Sequence, residues 1–86
     1  MVTSSRFETL TDRYALIQER IQTLISDLRR LVQLLEAEIE TEEQRTTIFD
    51  PANSNYPVFA RKLRGRRDNL IATISRLEET RVVNAH

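Results

Sequence analysis

The sequence predicts an all-α protein, an antiparallel hairpin of two helices, from three observations. An apolar residue recurs every three or four positions along the first half of the chain. One dense cluster of turn-forming residues separates this half from a shorter stretch with similar spacing. The chain has only one Gly and two Pro in 86 residues, a composition that favours long helices over sheets or disorder.

The first predicted helix covers residues 5–49. Ser5 and Glu8 have the spacing of a capping box, in which each side chain satisfies an unpaired backbone N–H of the first turn. Residues 1–4 are expected to be a frayed tail. The helix is expected to end near Phe49, because the residue before the next proline disfavours the helical conformation. Such a helix is about 67 Å long.

Apolar residues on this helix form a stripe with alternating spacings of three and four, the pattern of a coiled-coil seam. Its members are Phe7, Leu10, Tyr14, Ile17, Ile21, Leu24, Leu28, Leu31 and Leu35. From Leu24 onward the apolar face widens, because Ile25, Val32 and Ile39 begin a second, shifted register. A wider apolar face implies more than one neighbouring helix.

Residues 50–55, Asp-Pro-Ala-Asn-Ser-Asn, are predicted to form the hairpin loop. The second helix is predicted over residues 56–83, followed by a frayed tail, 84–86. Its apolar residues are expected to pack on the first helix: Phe59, Leu63, Leu70, Ile74 and Leu77. Gly65 interrupts this helix, and a close approach of the two helices is its expected reason, with a surface position as the alternative. The chain, 1–86, then forms one coiled-coil-like domain.

The unequal lengths of the two helices predict a binding surface. When the chain folds about the loop, Leu77 lies beside Arg30, and the second helix ends at the level of Leu24. The apolar side chains before that level are predicted to lie beyond the second helix, and soluble monomers rarely expose such a continuous patch. The expected partner interface is Phe7, Leu10, Tyr14, Ile17, Ile21 and Leu24.

A second copy of the chain is the first expected partner, because symmetric homodimers are the commonest oligomers. Two hairpins would form a dimeric four-helix bundle in which each projecting helix end lies on the other subunit. An alternative is a chaperone-like or adaptor protein that binds a helical segment of a heterologous partner. Both hypotheses describe a non-enzymatic protein–protein interaction module.

Opposite charges cluster on the two sides of the loop. The acidic cluster is Glu36, Glu38, Glu40, Glu42 and Glu43, and the basic cluster is Arg61, Lys62, Arg64, Arg66 and Arg67. Folding brings the clusters together, so Arg66 and Arg67 are expected to pair with Glu38 and Glu42 and to select the register of the hairpin. Exposed pairs contribute only about 0–1 kcal/mol each.

The basic cluster also supports a second alternative, a nucleic-acid-binding hairpin that uses Arg61, Lys62, Arg64, Arg66 and Arg67 as an anion-binding patch. The net charge of zero argues against this hypothesis, and so does the absence of interleaved exposed aromatic residues for base stacking.

No catalytic, metal-binding or nucleotide-binding pattern occurs in the sequence. His86, the only histidine, is the last residue, cysteine is absent, and no Glu-x-x-His pair exists for a di-iron site. We therefore expect no enzymatic activity and no cofactor. The N-terminus lacks the apolar segment of a signal peptide, and no run of about 18 apolar residues occurs, so a cytoplasmic protein without membrane association is expected.

Overall fold

The computed structural model describes residues 2–84, with side chains described for residues 9–80. This part of the chain consists of two helices, α1 (Val2–Thr46) and α2 (Val58–Asn84), and contains no strand. The helices pack side by side along an elongated body of 69 × 18 × 14 Å. The predicted all-α hairpin of one long and one shorter helix is thereby confirmed.

The ends of the helices differ from the predicted ones by a few residues. α1 begins at Val2, so the expected cap residue Ser5 lies inside the helix. α1 also ends three residues before Phe49. α2 begins at Val58, two residues later than predicted, and continues to Asn84.

The C-terminal end of α1 is set by Thr47, whose φ of 58° lies in the left-handed region. The Thr46 hydroxyl accepts from the Ile48 amide at 3.4 Å and donates to the Glu42 carbonyl oxygen at 3.1 Å. β-branched residues rarely adopt a positive φ, and glycine usually occupies this place after a helix. The helix therefore ends earlier than expected, at a position that has no glycine to mark it.

The loop contains two consecutive turns, each begun by a side chain that accepts a backbone hydrogen bond. The Asp50 carbonyl oxygen accepts from the Asn53 amide at 3.0 Å, and Asp50 Oδ1 accepts from the Ala52 amide at 2.9 Å. Asn53 then begins the second turn, in which its carbonyl oxygen accepts from the Tyr56 amide at 3.0 Å. Asp and Asn favour such turns for this reason.

The core is one seam between the two helices. Its most buried residues are Ile25, Ile39, Tyr56, Ala60, Leu63 and Ile74. Apart from Glu43, the described buried and half-buried residues of α1 alternate spacings of three and four and follow the shifted register: Gln18, Ile21, Ile25, Leu28, Val32, Leu35, Ile39, Glu42 and Thr46. α2 therefore occupies only one side of the wide apolar face of α1.

For α2, the expectation for Phe59 is wrong, and the alternative given for Gly65 is confirmed. Ala60 is fully buried against α1, whereas Phe59 is 52% exposed. Tyr56, one helical turn before Ala60, enters the seam, and the same face of α2 then continues through Ala60 and Leu63. A Cβ built on Gly65 meets nothing within 4 Å, so this glycine is a surface residue and not a point of close helix approach.

Candidate interaction surface

α1 extends beyond the end of α2. An ion pair between Arg29 and Glu78 shows which residues of the two helices lie side by side, in agreement with the prediction that Leu77 lies beside Arg30. α2 continues for six residues after Glu78, so it covers α1 back to about residue 23. Within the described residues, the earlier part of α1 lies beyond the end of α2.

Most of the predicted interface residues are exposed in this region. The exposed fractions are 59% for Leu10, 47% for Tyr14 and 52% for Ile17. Ile21 is half-buried at the end of the seam. The side chain of Phe7 lies outside the described residues.

The exposed surface continues alongside α2. Leu24 and Leu31 lie at levels that α2 reaches, yet they are 46% and 47% exposed. Each directly precedes a seam residue, so it lies on one flank of the seam. We call the continuous set the α1 stripe: Leu10, Tyr14, Ile17, Ile21, Leu24, Leu28, Leu31 and Leu35. A helix packed on the α1 stripe would lie beside α1 and next to α2.

A surface pocket continues this flank toward the loop. Its volume is about 390 Å³, and its lining residues are Leu34, Ala37, Glu38, Thr41, Glu42 and Phe59. Leu34 and Phe59 are both more than half exposed. The pocket therefore offers an apolar floor from α1 and an aromatic wall from α2.

The ion pairs that cross between the helices lie on the opposite flank. Arg29 pairs with Glu78, and Arg64 Nη1 lies 3.7 Å from Glu43 Oε2. Arg29 and Glu43 each follow a buried seam isoleucine by four residues, whereas the α1 stripe residues Leu24 and Leu31 precede the seam by one. On a helix these two positions lie on different sides of the seam. The flank with the stripe therefore stays free of these pairs.

The predicted ion pairs of Arg66 and Arg67 with Glu38 and Glu42 do not form. Glu42 accepts from Arg45 at 2.7 Å within α1, and Arg67 pairs with the adjacent Asp68 at 3.1 Å. Glu38 and Arg66 form no ion pair within the described part of the chain. Glu42 and Arg67 instead pair with closer residues of their own helices. Near the loop, the pair of Arg64 with Glu43 is the one that joins the two charge clusters.

A polar cluster at this loop end was not predicted. Tyr56 is 2% exposed, and its hydroxyl donates to Glu43 Oε2 at 2.7 Å. Burial, and then the bond to the Glu43 carboxylate, raises the pKa of Tyr56. The Arg61 guanidinium lies 5.4 Å from the centre of the Tyr56 ring, at cation–π distance. A tyrosine directly after a turn and an acidic residue near the helix end are the only sequence signals for this cluster.

The predicted anion-binding patch consists of Arg61, Lys62, Arg64, Arg66 and Arg67. Three of these residues have partners within the chain, namely Arg61, Arg64 and Arg67. Lys62 and Arg66 are exposed. Much of the positive charge in this cluster is thus engaged within the hairpin.

Within residues 2–84, neither helix has an apolar segment of the length and hydropathy needed to cross a lipid bilayer. The same range holds no group of three or more His, Asp or Glu side chains arranged to bind a metal, and His86 lies outside it. Comparisons with known protein families, curated proteins and solved structures found no match.

Proposed function

We propose that this protein is a non-enzymatic interaction module that self-associates through the α1 stripe. The observation that supports this proposal is the continuous exposed apolar surface that α2 leaves on α1. Continuous apolar patches on soluble proteins generally mark binding sites. We further propose a cytoplasmic location, for which the absence of cysteine is the supporting feature.

The magnitude of the apolar surface also favours association. Five large side chains of the α1 stripe are each about half exposed, namely Leu10, Tyr14, Ile17, Leu24 and Leu31. Full burial of one such side chain contributes about 1.5–3 kcal/mol, so each half-exposed residue offers about 1 kcal/mol. A symmetric dimer doubles this gain, to roughly 10 kcal/mol, which is comparable with the cost of association.

A second copy explains the surface with the fewest assumptions. Two hairpins joined through their stripes would form a dimeric four-helix bundle, and each projecting end of α1 would lie on the partner. The adaptor hypothesis requires an additional helix of complementary pattern. The nucleic-acid hypothesis has less support, because three of the five basic residues have partners in the hairpin.

The test is the mass of the protein in solution, measured by light scattering over a range of concentrations. We expect at least twice the chain mass of 10.1 kDa. Ile17→Glu should lower the mass toward that of one chain, because Ile17 is 52% exposed and lies beyond α2. Ala15→Glu is the matched control, since Ala15 is also exposed but lies on nearly the opposite face of α1.

Circular dichroism would verify that both variants keep their helices. A wild-type protein that remains monomeric at high concentration would overturn self-association. A dimer that Ile17→Glu and Ala15→Glu weaken equally would place the interface away from the α1 stripe.

A further inference from the structure

The α1 stripe has the same spacing in both directions. From Leu10 to Leu35 the steps are four, three, four, three, four, three and four residues, and the centre lies between Gln22 and Thr23. If a second copy packs antiparallel with the two-fold axis at this centre, each stripe residue of one copy lies opposite a stripe residue of the other. A parallel copy in register would do the same, so the apolar residues alone do not define the direction.

The charged residues beside the stripe distinguish the two directions. Arg20 and Asp27 are exposed, and each directly precedes a stripe residue on the flank away from α2. Neither forms an ion pair within the described part of the chain. In an antiparallel pair with its two-fold axis at the centre of the stripe, Arg20 of one copy lies within about 3 Å of the partner's Asp27, measured along the helix axis.

In a parallel pair the same two charges would be about 10 Å apart along the axis and on opposite sides of the interface. Only the antiparallel pair brings Arg20 beside the partner's Asp27, and its symmetry forms this ion pair twice. Complementary charges beside an apolar seam fix the orientation of paired helices.

The surface pocket fits the same arrangement. Glu38, one of its lining residues, and Phe7 are equally far from the centre of the stripe. An antiparallel partner would therefore bring its Phe7 to the level of the pocket that Leu34 and Phe59 line.

We propose that two copies associate antiparallel through the α1 stripe, with the two-fold axis between Gln22 and Thr23. Arg20 pairs with the partner's Asp27, and Asp27 pairs with the partner's Arg20. This inference rests on the proposed self-association and specifies its geometry.

The first test exchanges the charges in the full-length protein. Arg20→Asp and Asp27→Arg should each weaken the dimer about tenfold, because each replaces two attractive pairs by two repulsive ones. The double variant should restore the wild-type Kd. Glu19→Arg is the control on the opposite face of α1, and it should leave the Kd unchanged. Single variants that weaken the dimer without rescue by the double variant would overturn the antiparallel register.

The second test measures a distance. The chain has no cysteine, so Glu40→Cys introduces one site for a spin label, on the face of α1 opposite the stripe. Electron spin resonance should give a distance of more than about 50 Å between the labels of an antiparallel dimer. A distance of about 20–30 Å would show a parallel dimer and overturn this inference, while self-association itself would stand. A monomeric wild type would overturn both.

Discussion

The Tyr56 hydroxyl donates to Glu43 Oε2 at 2.7 Å and thereby joins the last residues of the loop to the end of α1. The two residues are 13 positions apart and lie on opposite sides of the loop. Arg64 Nη1 lies 3.7 Å from the same carboxylate oxygen. Because Tyr56 is buried, its hydroxyl needs this acceptor, and the contact ties the closure of the loop to the packing of the seam.

Tyr56→Phe should lower the free energy of unfolding by about 1–2 kcal/mol, since it removes a hydrogen bond to a charged acceptor. Urea unfolding at fixed chain concentration would measure the change. A double-mutant cycle with Glu43→Gln isolates the pair, and we expect a coupling energy of about 1 kcal/mol. Additive effects of the two substitutions would show that the hydrogen bond contributes nothing to stability.

The stability that Tyr56 confers should decrease in alkaline solution. Burial, and then the bond to Glu43, raises the pKa of Tyr56 in the folded protein above its ordinary value of 10.0. A raised pKa means that the contribution is complete below the unfolded value and is lost as the pH rises through the folded value. The difference in unfolding free energy between wild type and Tyr56→Phe should thus shrink above about pH 10. A difference that stays constant up to about pH 12 would contradict this expectation.

Thr47→Asn should raise the free energy of unfolding by about 0.5–1 kcal/mol. The φ of 58° at Thr47 disfavours a β-branched side chain, whereas Asn tolerates the left-handed conformation. Thr73→Asn is the matched control within α2, where the two residues have similar helix propensity and little change is expected. Chemical denaturation of both variants measures the difference, and equal effects at the two sites would argue against backbone strain at Thr47.

Gly65→Ala should stabilise the hairpin by about 0.5–1 kcal/mol. Gly65 lies within α2, and an added Cβ has free space around it, so alanine gains helix propensity without a clash. Ala72→Gly, at another exposed position of α2, should cause a loss of similar size. Thermal unfolding would compare the two. Destabilisation by Gly65→Ala would mean that this surface meets another molecule.

The periodicity of the apolar residues predicted both helices, and the turn-forming residues between them predicted a hairpin. The connection itself, residues 47–57, is longer than the predicted loop, 50–55. The rise per residue also predicted how far α2 reaches along α1. Leu77 beside Arg30 is the clearest example, and the ion pair of Arg29 with Glu78 agrees with it.

The details that spacing did not predict depend on single side chains. The end of α1 at Thr46 depends on a strained threonine, which has no recognisable sequence signature. Ala60 takes the seam position expected for Phe59. Phenylalanine was expected there because it is more hydrophobic than alanine, but the buried face of α2 is the one that follows Tyr56 by one helical turn. The charge clusters indicated a pairing across the loop, but not that Arg64 and Glu43 would form it.

Ile21, Leu28 and Leu35 belong both to the seam and to the α1 stripe, and all three are half-buried. One side of each residue contacts α2, and the other side is open to a second molecule packed on the α1 stripe. Covering the second side would also hold the first in place, so a hairpin with its stripe covered should melt at a higher temperature in concentrated solution than in dilute solution. Folding and assembly would then be a single equilibrium, governed by how much of the protein is present.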